Sequence, residues 1–391
     1  MLLKNLIVSF FIVGTLQAQF TKSIDISSFY DDNLFRSPDP VSDLITDLSL
    51  GLKYKAEKSN MSYFYNGSLL FYQDNALRNF SMHSLGFDNF VNFGKDDYHS
   101  FYFGANWALR KNGEDYNYYD YDQLFAYTNF RLDLDGLFIK AGYNFRYRSY
   151  TNIPDLTNYR HFIFLQANRS FESKTTIILE THFGYKSFTG QDYFSTTRID
   201  TISNGRGKGK MSGSDLQTST NTSILEIPSL SQVVLLARVT QSLHNKVGIY
   251  LQYRRQFSLT DRTNFLNSNN FYQDEELFDD PFSYESESVS SQLTWVLPWF
   301  MKVKIGGSLL SKNYISEQAY TSSQDTSAEG GIRLDERKYY YLKLSKTLHL
   351  KKDWVKSLHF NLDYSYIRNE SNSYWYDYKN AVIGGGIQWN F

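Results

Sequence analysis

Val382-Ile-Gly-Gly-Gly-Ile-Gln-Trp-Asn-Phe391 alternates with period 2, placing Ile383, Gly385, Ile387, Trp389 and Phe391 on one face. The other face carries Val382 and then Gly384, Gly386, Gln388 and Asn390, which after the valine are all small or polar. A strand with one apolar and one hydrated face fits a wall between two solvents. The same pattern recurs upstream. In the segment from Leu137, Ile139, Ala141, Tyr143, Phe145 and Tyr147 share one face, while Lys140, Gly142, Asn144, Arg146 and Arg148 share the other.

Period-2 templates divide residues 20–391 into sixteen such segments, centred near 20–31, 42–55, 61–72, 80–93, 99–110, 120–133, 137–150, 158–171, 175–188, 229–242, 247–259, 283–297, 300–314, 336–349, 356–369 and 378–391. The segments at 158–171 and 229–242 have the weakest alternation, so fourteen or eighteen strands also fit. Connections between the segments alternate short and long. Seven short ones, such as Leu134 to Gly136, and eight long ones, such as Thr189 to Pro228, place both chain ends on the side of the short turns. Segments of 12 to 15 residues are long for a soluble sandwich, where five or six residues are usual. The expected fold is all-β: a transmembrane, antiparallel up-and-down β-barrel of about sixteen strands in a single domain over 19–391.

The chain's start supplies an address. Lys4 precedes an apolar run from Leu6 to Leu16, broken only by Ser9, Gly14 and Thr15, and Leu16-Gln17-Ala18 precedes Gln19. This pattern predicts a cleavable export signal over 1–18; the run is too short for a spanning helix, which needs about 20 apolar residues. Aromatic residues make up 18% of the chain, with 32 Tyr and 31 Phe, yet the mean hydropathy is −0.46. Aromatic girdles around a polar lumen account for that combination. There is no Cys, which excludes disulfides, thiolate metal sites and a lipidated Cys. The formal net charge of −1 falls to about −2 once Lys4 is removed, which implies no nucleic-acid partner.

Projecting the alternation inward gives a mildly basic lumen: Lys53, Lys140, Arg146, Arg148, Arg254, Lys302, Lys304 and Lys343 against Asp25, Asp47, Asp88 and Asp363. Such a lining favours anionic or sugar-acid solutes, or else pairs internally and hydrates the wall. The forty-residue loop from Thr189 to Pro228 is rich in Ser, Thr and Gly and carries Arg206, Lys208 and Lys210. It is a candidate constriction, although its composition also fits a disordered surface loop. The following loop clusters Asp274, Glu275, Glu276, Asp279 and Asp280, which could bind Ca²⁺ or bridge divalent ions to lipid head groups, but without the fixed ligand spacing of a calcium site it reads first as a solvated loop. Two aromatic groups, Tyr116, Tyr118, Tyr119 and Tyr121, then Tyr374, Trp375, Tyr376 and Tyr378, read as an outer girdle or as sugar-stacking surfaces. The seven His form no HExxH and there is no G-x-S-x-G, so no cofactor, metal or catalytic set is expected.

Two stretches carry a family resemblance. The terminal strand resembles the C-terminal signal strand of bacterial outer-membrane barrels. That likeness makes Ile387, Trp389 and Phe391 the mark read by the barrel assembly machinery during insertion into outer-membrane lipid. Ser28-Phe29-Tyr30-Asp31-Asp32-Asn33-Leu34-Phe35-Arg36, with Ser42-Asp43-Leu44-Ile45-Thr46 and Gly51-Leu52, resembles the opening of a broad group of β-barrel porins, some associated with exopolysaccharide export. The likeness covers about 25 residues, and Leu50 stands where the group has Pro. It implies a porin-like conduit in the cell outer membrane for small hydrophilic or saccharide solutes. The alternatives are a barrel partner of a polysaccharide or surface-protein export machinery and, least favoured, a barrel hydrolase.

Overall fold

The computed structural model describes residues 20–55, 59–189, 191–200, 217–226, 229–260, 279–352 and 355–391. Sixteen strands close into one antiparallel barrel. Around the wall they are β1 (Phe20–Asp31), β2 (Asp43–Lys55), β3 (Met61–Tyr72), β4 (Phe80–Phe93), β5 (His99–Asn112), β6 (Tyr121–Leu134), β7 (Leu137–Tyr150), β8 (Asn158–Ser170) and β9 (Thr175–Phe188). The wall continues with β12 (Leu230–His244), β13 (Val247–Ser258), β14 (Tyr284–Val296), β15 (Lys302–Gln318), β16 (Ile332–Lys352), β17 (Val355–Ser371) and β18 (Tyr378–Asn390). The omitted pair, β10 (Gln191–Asp200) and β11 (Gln217–Glu226), forms a separate two-stranded sheet inside the long loop read as a constriction or a disordered surface loop. The expected export signal over 1–18 and the candidate constriction residues Arg206, Lys208 and Lys210 lie outside the described residues.

β1 pairs with β18, Ile24 opposite Trp389 and Ile26 opposite Ile387, and the Phe391 N–H donates to the Lys22 carbonyl at 2.9 Å. Closure leaves the barrel sheet without an exposed edge, the condition for placing a sheet in lipid. Cross-strand partners share a face, so the register sorts every side chain into inside or outside. The outer face carries Leu85, Ile163, Leu179, Leu251, Leu309 and Ile383, each more than half exposed. A soluble protein rarely exposes so large an apolar area. Lipid is the solvent that accepts it, and the chain is a membrane-spanning barrel. Toward the long-loop end, the outward ion pairs Arg255–Glu287 (2.6 Å) and Lys338–Glu370 (3.1 Å) mark where the band gives way to water.

Four of the eight residues in the two expected aromatic clusters are not girdle residues, whereas Trp375 stays exposed. Tyr119, Tyr121, Tyr376 and Tyr378 are buried. Tyr121 packs with Tyr150 and Leu156, while Tyr116 lies against the Arg78 guanidinium at 5.4 Å. These rings tie the long-loop segments to the upper wall, where cation–π contact and burial outweigh exposure to lipid.

Candidate functional site: the lumen and its inner clasp

All eight basic residues singled out above lie on the face opposite the lipid band, as do Asp25, Asp47, Asp88 and Asp363. Their surroundings differ. Lys53 pairs with Asp88 at 3.0 Å and Lys343 lies 3.8 Å from Asp363. Arg148 donates to Gln123 Oε1 at 2.9 Å and caps the Tyr121 ring, while Arg254 donates to Gln256 Oε1 at 2.8 Å. Arg146 stands directly across from Arg160 on β8, which stands across from Lys186 on β9. This row puts three cations on neighbouring strands, where like charges repel. Lys140, Lys302 and Lys304 make no hydrogen bond or ion pair with any described residue. Their charge therefore faces lumen water.

Sequence reasoning missed a structure made by Asp279 to Ser283, the end of the acidic loop. That segment is not simply solvated. It lies across the inner surfaces of β9, β12, β13, β14 and β15. Asp279 bonds Lys312, accepts from Tyr314 Oη at 2.5 Å and lies 3.5 Å from Arg337. Asp280 bonds Lys186, on the far side of β12 to β14. Between these anchors, Gln256 Nε2 donates to the Pro281 carbonyl, and Phe282 is buried over Gly184 beside Gln232. The turn is held locally by Ser283 N–H donating to the Asp280 carbonyl at 2.8 Å. We call this segment the inner clasp.

Behind the clasp lies a buried ionic triad. Arg333 Nη1 is 2.7 Å from Glu317 and its Nε donates to Asp335 at 2.9 Å, with all three side chains nearly inaccessible. The guanidinium also sits on the Tyr376 ring at 3.2 Å to the centroid. Four cations, Lys186, Lys312, Arg333 and Arg337, thus meet four carboxylates, Asp279, Asp280, Glu317 and Asp335. Burial raises the Asp279 carboxyl, but Lys312, Arg333 and Arg337 more than reverse this and hold it well below the usual carboxylate range. Asp279 therefore stays ionised throughout the neutral range.

A signal for half of this network was present in the sequence. Lys312 and Tyr314 continue the inward phase of Lys302 and Lys304, and Arg333, Asp335 and Arg337 continue that of Lys343. Alternation over 336–349 stops short of Arg333 and Asp335, whereas β16 begins at Ile332 and β15 runs on to Gln318. The clasp itself follows no strand periodicity.

No known family matches the sequence, and no curated protein sequence matches it. Solved structures do match in fold. The outer membrane protein OpdK of Pseudomonas aeruginosa is 7% identical, over 95% of this chain and 98% of that one, with a TM-score of 0.51. A bacterial polysaccharide outer membrane secretin is 8% identical over the same shares of the two chains, with a TM-score of 0.50. At such identities the likeness is one of architecture: a closed, antiparallel barrel of the outer-membrane kind.

Proposed function

We propose that the barrel is a diffusion channel for small hydrophilic solutes, with a preference for anions, narrowed at its long-loop end by the inner clasp. The observation that carries the preference is the set of lumen lysines, Lys140, Lys302 and Lys304, whose charge no described residue neutralises. Lys304 also faces Lys343 across β15 and β16, so two ammonium groups share one stretch of wall. A wall of one sign concentrates the opposite ion and repels its own. On this reading residues 1–18 export the chain, and Ile387, Trp389 and Phe391 present it to the assembly machinery.

Planar-bilayer recording tests the proposal. In a salt gradient the reversal potential should report more anion than cation current. The Lys140→Glu, Lys302→Glu and Lys304→Glu triple variant should move it toward cations. A purified, folded barrel that passes no current would overturn the channel, and a reversal potential indifferent to the triple variant would overturn the preference.

A further inference from the structure

We propose that the inner wall over β1 to β8 is a saccharide-binding surface. This rests on the channel proposed above and names the solute class it serves. The observation is a set of aromatic rings that lie down on the wall instead of projecting into the lumen. Phe64 stands across from Gly86, Tyr127 from Gly104 and Phe164 from Gly142, all facing inward. A β-carbon at Gly104 would come within 2.5 Å of Tyr127 Oη and 2.7 Å of its Cζ, and one at Gly86 within 2.6 Å of Phe64 Cζ. At Gly142 it would collide with the Phe164 ring. Each ring therefore lies across a glycine, its outer atoms occupying the space a side chain would take, and Tyr127 also packs beside Tyr102 at 5.2 Å between ring centroids.

Glycine weakens a strand interior, so three inward glycines beneath three rings need a compensating role. What they provide is ring orientation. A ring standing upright fills the channel and offers an edge, whereas a ring lying flat keeps the channel wide and offers a π face. The C–H face of a pyranose matches that surface, and its hydroxyls need hydrogen-bonding groups alongside. Those groups are present. Asn106, Asn129 and Asn144 face inward among the rings. Two residues along β3 from Phe64, Asn66 enters a depression of about 350 Å³ shared with Ser23, Asp25, Ser49, Ser68 and Gln388. Apolar faces beside carboxylate, amide and hydroxyl groups make a lining suited to sugars rather than to simple inorganic anions.

The test uses the full-length barrel in a planar bilayer with three probes: maltopentaose, an oligogalacturonate, and a polyethylene glycol of equal mass. At least one sugar should interrupt the ion current for longer than the polymer does. The Tyr127→Leu, Phe164→Leu double variant should shorten those interruptions about fivefold, as expected for lost ring contacts. Gly142→Ala, which keeps the ring but lifts it from the wall, should act in the same direction. Variants are compared only where the heat-dependent gel mobility of the folded barrel is retained. Sugars that interrupt no longer than the polymer, or durations unchanged in both variants, overturn the surface. If the barrel passes no current, the channel reading fails separately. Quenching of intrinsic fluorescence by the same sugars in detergent then decides this proposal, which stands if the double variant weakens quenching and falls if it does not.

Discussion

Arg333 holds two carboxylates, Glu317 and Asp335, with 2% of its own side chain exposed. Removing one partner from a buried ionic set strands the other charges in low dielectric. Arg333→Met should therefore cost about 3–5 kcal/mol, read as a fall in the thermal unfolding midpoint in detergent, and adding Glu317→Gln should restore part of it. Asp279 gives a pH prediction with a definite sign. Its carboxyl is depressed in the folded state, so its contribution is complete above the unfolded carboxylate value and is lost only as pH falls through the lower, folded one. Clasp-limited conductance should stay level from neutral to mildly acidic pH, whereas Asp279→Asn together with Asp280→Asn should raise it at every pH. A conductance that climbs between pH 7 and 5 in the parent protein would contradict this. The inward positions of Lys140 and Arg254 were legible because a side chain's face follows from strand parity. The pairing of Lys186 with Asp280, 94 positions apart, was not, because contacts made by a returning loop leave no periodic trace.

The turn between β6 and β7 is one of the tightest elements among the described residues. Leu134 pairs directly with Leu137, which leaves Asp135 and Gly136 as a two-residue loop with φ of 55° and 84°. Both dihedrals lie in the left-handed region demanded by a hairpin turn matched to strand twist, where Asp-Gly is favoured. Gly136→Val should cost about 1–2 kcal/mol, seen as a lower unfolding midpoint with unchanged conductance. Strands were the most readable part of this chain, because two different solvents impose opposite polarity on alternate residues and a slip of one place inverts both faces. Their ends were less readable. β16 runs 21 residues and β17 runs 17, beyond the lipid band, where the outward face turns polar and alternation no longer distinguishes its two sides. The β10–β11 hairpin also escaped notice, since Ser- and Thr-rich strands read as loop composition.

At the scale of the whole molecule, the fold was legible because closure, lipid band and topology all follow from one alternation, while the lumen's function depends on which charges are neutralised by partners far away in sequence. The short-turn half keeps Lys302 and Lys304 unneutralised by any described residue, whereas the clasp region balances its cations with carboxylates. The seam between β1 and β18 carries a separate consequence. Its pairing is as regular as any other in the wall, with nine matched residues from Ser23 opposite Asn390 to Asp31 opposite Val382. Geometrically the ring has no first strand. A circular permutant that joins Phe391 to Phe20 through a short linker and opens the chain within a long loop should reproduce the same cylinder. It would also move Ile387, Trp389 and Phe391 into the chain's interior, so its rate of insertion would report whether insertion depends on where in the chain those side chains stand.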